Sequence, residues 1–295
     1  MRPLNKILIE RYWEIGYRKC SDDDTLVGSS SNVFAFEELK SSKRYWYADP
    51  FLFEKDGEIY LFFEMFDNKS GKGLVGFSKY ENEKLTKPQI VLEEPFHLSF
   101  PFIFEENGTV YMMPETGSEG CILLYRAENF PFGWVKDRVI LELKGAVDTV
   151  MLGDNIITSK KAESGNRAVQ LEMYNRKTGE PTMKNPIKPA DNISRGAGRI
   201  FTLGDRLLRP AMNCVNVYGG ALMFYEIKEN DSRYREELYS EFSPTQIKCG
   251  EGKIRGVHTY ARLGNLEVID IYRKRFNLKK ILWAVKKKLF RKKSR

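Results

Sequence analysis

The sequence predicts an all-β fold, a five-bladed β-propeller, followed by a C-terminal basic amphipathic helix. The first observation is a repeat: residues 48–64 return as residues 99–115, with Pro, Phe, Gly, Tyr and Glu at matching places. Each copy has an apolar run, an Asp-Gly or Asn-Gly turn and a second apolar run, which is the pattern of a β-hairpin. The second observation is the period of about 50 residues, which is typical of propellers and solenoids.

Three weaker copies of the hairpin pattern follow along the chain. They cover residues 147–157, 198–208 and 257–268, and each has a glycine at its turn. Together the five units account for most of the 295 residues, so they predict five blades of roughly four antiparallel strands. The alternative is a β-sandwich, which also joins many short strands by glycine turns. A regular period is not expected of a sandwich.

A strand is also predicted before the first repeat unit. Residues 13–18, with the sequence Trp-Glu-Ile-Gly-Tyr-Arg, have the composition of a strand. This strand would close the ring by joining the last blade. We therefore expect a propeller domain over residues 1–273 and a tail over residues 274–295.

The tail has the pattern of a helix that lies on a membrane. Five apolar residues with helical spacing form one stripe, namely Leu278, Ile281, Leu282, Val285 and Leu289. Lys and Arg fill most of the other positions, which is typical of a helix in an anionic membrane surface. Residues 276–295 therefore predict such a surface as a partner. The alternatives are a helix docked on the propeller and a tail that binds calmodulin or RNA.

The positive charge of the chain is concentrated in this tail. The formal net charge is +8, and residues 273–295 contain twelve Lys or Arg and no acidic residue, which leaves −4 for the rest. A net charge of −4 on the rest of the chain does not indicate nucleic-acid binding. The four cysteines are scattered, without a metal-binding or redox pair, and indicate reduced thiols. No cofactor and no metal ligand is predicted, although a histidine in the central funnel would allow a metal ion.

The N-terminus carries no recognisable targeting signal. Only Ile7, Leu8 and Ile9 form an apolar run before Glu10 and Arg11, which is shorter than the apolar core of a signal peptide. No segment has the apolar length of a transmembrane helix. We therefore expect a cytoplasmic protein that is peripheral on the inner face of the cell membrane.

Alignment of the repeats on their turns predicts a site at the centre of the ring. It places one residue of each innermost strand in register along the central funnel, namely Asp49, Phe100, Asp148, Arg199 and His258. The other ends of the hairpins add Glu64, Glu115 and Arg209, and His97 lies just before the second copy. Each residue alone has a structural explanation as a turn residue, an ion-pair partner or a core histidine. Their convergence on one funnel predicts a substrate site.

Several motifs in these repeats resemble one known family. They are Ala48-Asp49-Pro50, Phe96-His97-Leu98-Ser99-Phe100-Pro101-Phe102, Met113-Pro114-Glu115, Asp148-Thr149, Arg209-Pro210-Ala211-Met212-Asn213-Cys214 and Gly256-Val257-His258-Thr259. The combination is similar to the propeller domain at the N-terminus of plant glucosamine inositolphosphorylceramide transferase, whose free-standing relatives occur in bacterial surface-polysaccharide biosynthesis. The resemblance spans about residues 12 to 273. It implies a five-bladed propeller distantly similar to glycoside hydrolase family 43, whose general base lies in an Ala-Asp-Pro motif like that of Asp49.

Two positions depart from the pattern of those hydrolases. The hydrolases use an Asp in the second blade to tune pKa values and a Glu in the third blade as the acid. This chain has Phe100 and Asp148 at the aligned places. Glu115 would supply an acid only from a different strand. The departure argues against hydrolysis.

Three arginines near the fourth unit favour a phosphate-bearing substrate. The guanidinium groups of Arg195, Arg199 and Arg209 suit a diphosphate because they can form bidentate hydrogen bonds to it. Hydrolysis of a neutral glycan requires no such cationic group. The alternative is that these arginines pair with acidic residues in a structural ring. A sugar nucleotide or a lipid-linked sugar diphosphate would fit the first interpretation.

Together these observations predict a carbohydrate-active enzyme of surface-glycan or glycolipid biosynthesis. It would transfer a glycosyl group from a phosphate-containing sugar donor to a glycan or glycolipid acceptor at the membrane surface. Asp49 is the predicted base for the acceptor hydroxyl, while Glu115 and Asp148 orient the sugar or act as the acid. The predicted substrate-binding residues are His97, Arg199, Arg209, His258 and Glu64. The competing functions are a glycan-trimming hydrolase and a non-catalytic glycan-binding propeller.

Overall fold

The computed structural model of the chain describes residues 9–21, 23–29, 32–161, 169–182, 195–230 and 233–276. In these residues the strands form five sheets, which are the blades of a five-bladed β-propeller. The predicted all-β fold is confirmed. The only helix of the described part is a short 3₁₀ helix at Pro244–Gln246.

The first two blades follow the two strongest repeats of the sequence. The described chain starts with β1 (Ile9–Lys19) and β2 (Phe34–Leu39), which belong to the last blade. The first blade contains β3 (Tyr45–Lys55), β4 (Glu58–Asp67), β5 (Lys72–Glu81), β6 (Lys84–Leu85) and β7 (Gln89–Leu92). The second blade contains β8 (Ser99–Glu106), β9 (Thr109–Glu115), β10 (Cys121–Asn129) and β11 (Phe132–Glu142). The turn of each repeat joins the first two strands of its blade, as the sequence predicts.

The third and fourth blades follow the weaker repeats. The third blade contains β12 (Ala146–Leu152), β13 (Asn155–Lys161) and β14 (Val169–Asn175). The fourth contains β15 (Arg195–Gly196), β16 (Phe201–Leu203), β17 (Arg206–Asn213), β18 (Ala221–Asn230) and β19 (Arg233–Phe242). The strands β15 and β16 both pair with β17, so they share the innermost place of this blade.

The last blade closes the ring with both ends of the described chain. It contains β20 (Ile247–Cys249), β21 (Gly256–Leu263) and β22 (Leu266–Phe276), together with β1 and β2. The strand β1 pairs antiparallel with β22 along its whole length, which confirms the predicted closure by residues 13–18. Outside β1, β2 pairs with β20 in parallel. Closure of this kind leaves few open sheet edges.

The apolar core lies between the blades, and aromatic rings connect them near the centre. The ring of Phe51 in the first blade makes edge-to-face contacts with Phe100 and Phe102 of the second, at centroid distances of 4.7 and 5.9 Å. All three side chains are buried. Burial of such rings is a large apolar contribution to stability, and it holds the innermost strands of the two blades together.

A β-bulge recurs in the innermost strands. In β3, Asp49 and Pro50 together oppose a single residue of β4. The same irregularity occurs at Phe100 in β8, Asp148 in β12 and His258 in β21. A bulge bends the strand and changes the direction of its side chains. The predicted equivalence of Asp49, Phe100, Asp148 and His258 is therefore a real feature of the fold.

The fourth blade departs from this pattern and changes the expected register of Arg199. Between β15 and β16, residues 197–200 oppose only two residues of β17, so this irregular segment is longer than the other bulges. An alignment that counts back from the turn at Gly204 therefore stops at Arg199, two residues short of the equivalent position. Ala197, not Arg199, holds the place that Asp49 holds in the first blade.

Residues 274–276 of the predicted tail belong to β22, which ends the described chain at Phe276, and the remaining residues 277–295 lie outside the described residues. Within the described part, no helix is long and apolar enough to span a membrane.

Candidate active site

Five acidic side chains, which we call the carboxylate cluster, gather where the innermost strands meet. They are Asp49, Glu64, Glu115, Asp148 and Asp270. The charges of the other members help to raise the pKa values of Asp49 and Glu64, and the same charges act on Arg195 and His258. The structure therefore brings together five of the residues predicted for the site, namely Asp49, Glu64, Glu115, Asp148 and His258.

Asp270 is the organising residue of the cluster, and it is fully buried. Its Oδ1 accepts hydrogen bonds from the backbone N–H groups of His258 and Thr259, at 3.0 and 2.9 Å. Its Oδ2 accepts one from the backbone N–H of Asp49 at 2.9 Å and lies 2.5 Å from Nδ1 of His258. One carboxylate thus satisfies the bulges of two blades, whose amides would otherwise be buried without partners.

Asp49 is held by a hydrogen bond at each oxygen. Its Oδ1 accepts from the hydroxyl of Thr259 and its Oδ2 from the backbone N–H of Phe100, both at 3.1 Å. Burial, together with the charges of Asp270 and Asp148, raises the pKa of Asp49 to about 6 against the opposing charge of His258. A carboxylate of this kind is ionised at neutral pH and is a better proton acceptor than an ordinary Asp.

The hydrogen bonds of the cluster follow the ring from blade to blade. Asp270 of the last blade binds the bulge amide of Asp49 in the first blade. Asp49 binds the amide of Phe100 in the second blade, and Oε2 of Glu115 accepts from the amide of Asp148 in the third, at 3.4 Å. Each carboxylate therefore fixes the innermost strand of the next blade, so the acidic residues also have a structural role.

Arg195 provides the guanidinium group of the cluster. It forms a bidentate pair with Asp148, in which Nη2 donates to Oδ1 at 3.1 Å, and Nη2 lies 3.5 Å from Oε2 of Glu115. Burial is the largest single influence and lowers the pKa of Arg195, but the charges of Asp148, Tyr218 and Glu115 together with the hydrogen bonds to Asp148 outweigh it and raise the pKa well above the ordinary value. Arg195 therefore stays charged and neutralises part of the acidic cluster.

Glu64 is a residue of β4, where it pairs with Ala48 of β3. Its side chain lies next to the exposed ring of His97. Its Oε1 is buried and accepts no hydrogen bond from the described residues. The nearest basic atom is Nε2 of His97, at 3.4 Å. Burial raises the pKa of Glu64 well above the ordinary value, and the charges of Asp49, Glu115 and Asp270 add to this effect. The side chain is therefore neutral over a wider pH range than an ordinary Glu.

Aromatic rings form one wall of the site. The ring of His258 stacks on Trp13 at a centroid distance of 3.8 Å, and the ring of Tyr218 meets His258 edge-on at 5.4 Å. Tyr218 keeps 39% of its surface exposed and lies 5.3 Å from the guanidinium carbon of Arg195. Because Trp13 and His258 are buried against each other, Tyr218 is the ring of this wall that offers an accessible flat surface with a polar edge, which suits the face of a sugar ring.

The structure places the other two predicted arginines elsewhere. The side chain of Arg199 donates to the carbonyl of Ile103 and lies over the ring of Phe102, 4.3 Å from its centroid. Burial lowers its pKa to about 10, and no carboxylate contributes to that shift. Arg209 is buried and binds Glu236 on β19. Neither guanidinium joins the carboxylate cluster, so Arg195 takes the expected place of both.

Sequence reasoning missed Asp270 and the aromatic residues Trp13 and Tyr218. The signal for Asp270 is an acidic residue between Ile269 and Ile271 in a strongly apolar strand, where an unpaired charge would be costly. Arg195 was one of three candidate arginines, and only its contacts separate it from the other two.

One part of the cluster has the spacing of a metal site. A single ligand atom from each of Asp49, His258 and Asp270 lies within 4.8 Å of the others. Two carboxylates and an imidazole are suitable donors for a divalent cation. In the structure the three side chains are instead bonded through Thr259 and through the direct contact of His258 with Asp270.

Comparison with known proteins supports the fold from two directions. Over 88% of this chain and 97% of the other, the structure matches the catalytic domain of a GH62 α-L-arabinofuranosidase from Coprinopsis cinerea, with a TM-score of 0.52 and 12% sequence identity. At that identity the likeness concerns the fold alone. In sequence, the chain is 33% identical to glucosamine inositolphosphorylceramide transferase 1 of Arabidopsis thaliana over 226 residues. It is 27% identical to the protein of the same name from Oryza sativa subsp. indica over 223 residues.

These sequence matches cover 72% and 71% of this chain but only 29% and 30% of the two plant proteins. The chain thus spans less than a third of the curated relatives that it matches. Residues 32–274 match the family described as glucosamine inositolphosphorylceramide transferase 1, N-terminal. The chain belongs to this family.

Proposed function

We propose that this protein is an enzyme of surface-glycan or glycolipid biosynthesis that transfers a glycosyl group. The observation that carries the proposal is the site of Asp49: a buried carboxylate with a pKa raised to about 6, fixed beside further carboxyl groups and an aromatic wall. The transferase name of the plant relatives supports the class of reaction. The carboxylate cluster supplies groups that could accept and donate protons.

Asp49 is the proposed general base. Glycosyl transfer to a hydroxyl requires removal of the hydroxyl proton as the oxygen attacks the sugar carbon. The two hydrogen bonds to Asp49 hold its oxygens in place, and its raised pKa increases its affinity for that proton. His258, with a pKa that the charge of Asp270 raises against burial, would favour the ionised form of Asp49 before the reaction.

Arg195 is the proposed contact for a phosphate of the donor. Its guanidinium can form bidentate hydrogen bonds to phosphate oxygens, but Asp148 and Glu115 already bind it. A phosphate would have to compete with these two carboxylates, so the donor contact depends on a change of partners at Arg195. Arg199 and Arg209, the arginines favoured by the sequence, have their contacts outside the cluster.

The membrane surface is the proposed location of the reaction, on the inner face of the cell membrane. A glycolipid acceptor is presented at such a surface, and the apolar stripe and basic residues of the segment 276–295 would bring the propeller to it. The tail supports this proposal through its sequence only.

The proposal is tested by Asp49→Asn, with glycosyl transfer and ligand binding measured on the same samples. Asn keeps the size and most hydrogen bonds of Asp but cannot take a proton. We expect a rate loss on the order of 10² to 10⁴ with donor binding retained. In Arg195→Met, the affinity for phosphate-bearing donors should fall, while neutral glycosides should bind as before.

A matched control is Asp56→Asn, which changes an Asp at the outer turn of the same hairpin and should leave the rate unchanged. Full transfer activity in Asp49→Asn would rule out Asp49 as the general base. Binding of glycans without turnover of any donor would instead identify a glycan-binding module.

Hydrolysis is the second candidate function, because the fold is shared with a glycoside hydrolase and the cluster contains carboxyl groups with raised pKa values. Release of free sugar from a donor in the absence of any acceptor would favour hydrolysis over transfer.

A further inference from the structure

Glu64 and His97 form a pair at the edge of the cluster that the proposed function leaves without a chemical role. The side chain of Glu64 is only 7% exposed, whereas that of His97 is 43% exposed. The buried Oε1 of Glu64 accepts no hydrogen bond from the described residues. A buried carboxylate without a hydrogen bond is costly in its ionised form.

The protonation state of His97 follows from its neighbour in β5. The backbone N–H of Gly73 donates to Nδ1 of His97 at 2.9 Å. Nδ1 must therefore be the unprotonated acceptor nitrogen, and the proton of the neutral ring is on Nε2. Nε2 is the atom that lies 3.4 Å from Oε1 of Glu64. The ring thus places an N–H group near this oxygen, at a distance within ion-pair range but without a hydrogen bond between the two groups.

The backbone of β5 packs closely against Glu64 and His97 at Gly73. A Cβ atom on Gly73 would lie 2.3 Å from the carbonyl oxygen of Leu98, 2.7 Å from Oε1 of Glu64 and 2.8 Å from the ring of His97. Only a glycine allows the strand, the carboxyl group and the imidazole to approach this closely. The pair is therefore a packed unit and not a chance surface contact.

We propose that Glu64 is the proton donor of the reaction and that His97 positions it. The proposal rests on the proposed function and names its acid. The basic group beside Glu64 is His97, in the loop before β8. The charges of Asp49, Glu115 and Asp270 also act on Glu64 and raise its pKa. Glu115 is the weaker candidate, because Arg195 lies within 3.5 Å of it and a guanidinium stabilises the ionised form.

Two carboxyl groups account for both proton transfers of the glycosyl-transfer step. Glu64 gives its proton to the leaving oxygen, and the bond between that oxygen and the sugar carbon breaks with its electron pair on oxygen. The acceptor oxygen forms the new bond to the sugar carbon and loses its proton to Asp49. Glu64 is then a carboxylate whose Oε1 accepts from Nε2 of His97. Water restores the proton of Glu64 and removes that of Asp49.

The first experiment needs no substrate. Infrared titration of the full chain in D₂O detects the C=O stretch of a protonated carboxyl group at neutral pH. We expect a band at pH 7 that is absent in Glu64→Gln and still present in Glu115→Gln, the matched variant. A band that persists unchanged in Glu64→Gln overturns the proposal, whatever reaction the protein catalyses.

The role of His97 has its own readout in the same titration. His97→Ala removes the donor to Oε1 and should move the midpoint of the Glu64 band to higher pH, because the carboxylate loses its stabilising contact. His97→Gln keeps an N–H donor and should restore the midpoint. Equal midpoints in all three proteins would refute the positioning role.

The second experiment uses aryl glycosides with leaving groups of different acidity. In Glu64→Gln, kcat/KM should fall on the order of 10² to 10⁴ for the least acidic leaving groups and by about tenfold or less for nitrophenyl leaving groups. An equal loss of kcat/KM for all leaving groups would refute the role of Glu64 as the proton donor. Absence of turnover by the unmodified protein with every donor contradicts the proposed function, and the infrared band then still decides the protonation of Glu64.

Discussion

At the scale of single residues, the buried charges of this protein combine structural and chemical roles. Asp270 accepts three backbone hydrogen bonds and contacts the ring of His258, so it shapes the site without facing solvent. Asp49 holds the amide of Phe100 and is also the proposed base. A variant of either residue therefore changes the backbone as well as the chemistry, and binding and folding must be measured beside the rate.

Glu64→Gln should stabilise the protein increasingly as the pH rises. The pKa of Glu64 is raised in the folded state and near 4.5 in the unfolded chain, so the folded state binds the proton more tightly. The contribution of Glu64 is fully present below its unfolded pKa and is lost as the pH rises through the folded pKa. The Gln side chain does not ionise, so the variant does not lose this stability as the pH rises. Urea unfolding at pH 5 and pH 8 should give a larger gain at pH 8.

Glu115→Gln is the contrasting variant, because it removes a charge partner of Arg195 and should lower stability at both pH values. A pH-independent difference between Glu64→Gln and the unmodified protein would contradict the assigned shift.

At the scale of elements, the bulges and close glycine contacts position the site. The bulges put residues of the innermost strands in equivalent places, and Gly219 lets the segment between β17 and β18 lie against the last blade. Gly219 has a φ of +63°, and its carbonyl accepts from the N–H of Val257 at 2.8 Å. A Cβ at this position would lie 2.6 Å from Cβ of His258 and 2.9 Å from the ring of Trp13.

Gly219→Ala and Gly264→Ala separate backbone strain from steric overlap. Both glycines have positive φ, but a Cβ on Gly264 meets nothing within 4 Å. We expect Gly264→Ala to cost about 1 to 2 kcal/mol for the left-handed backbone alone. Gly219→Ala should cost about 1 to 3 kcal/mol more, because the overlap displaces His258 or Trp13. Chemical denaturation of both variants measures the difference, and equal losses would show that the segment yields without strain.

At the scale of the whole molecule, one pairing closes the propeller. The strand β1 is paired with β22 from Ile9↔Phe276 to Lys19↔Leu266, so the first and last strands of the described chain are neighbours. The first three residues of the predicted tail, 274–276, are therefore part of the closing strand, and residues 277–295 follow directly after it. A truncation that removes the predicted helix keeps every strand pair that closes the propeller only if the chain is cut after Phe276.

Deletion of residues 277–295 should release the protein from anionic vesicles and leave its folding intact. The deletion retains every pair between β1 and β22 and removes the apolar stripe with most of the basic residues of the tail. Co-sedimentation with phosphatidylserine vesicles measures binding, and thermal unfolding measures stability. High salt should weaken the binding of the full chain only in part, because the apolar stripe is not screened.

A second tail variant, with the five residues of the stripe changed to Ser, should bind only at low salt. Equal vesicle binding by the deleted and full chains would exclude the tail as the anchor.

The sequence by itself determined the fold class, the five units, the closing strand and most of the acidic site. These follow from local patterns: a hairpin and its turn are encoded within about 17 residues, and the repeat reports how many hairpins share the ring. Asp49, Glu64, Glu115, Asp148 and His258 could be found because each has an equivalent place in a repeat.

Only the tertiary structure decided which charges meet. Arg195, and not Arg199, reaches the cluster because four residues of the fourth blade, 197–200, oppose only two residues of β17. The residues of the hairpin turn do not encode the length of this segment. Asp270 and Trp13 reach the site through strand pairing across the closure, from opposite ends of the described chain. Contacts between residues so far apart depend on the closed ring, so no local pattern in the sequence could have shown them.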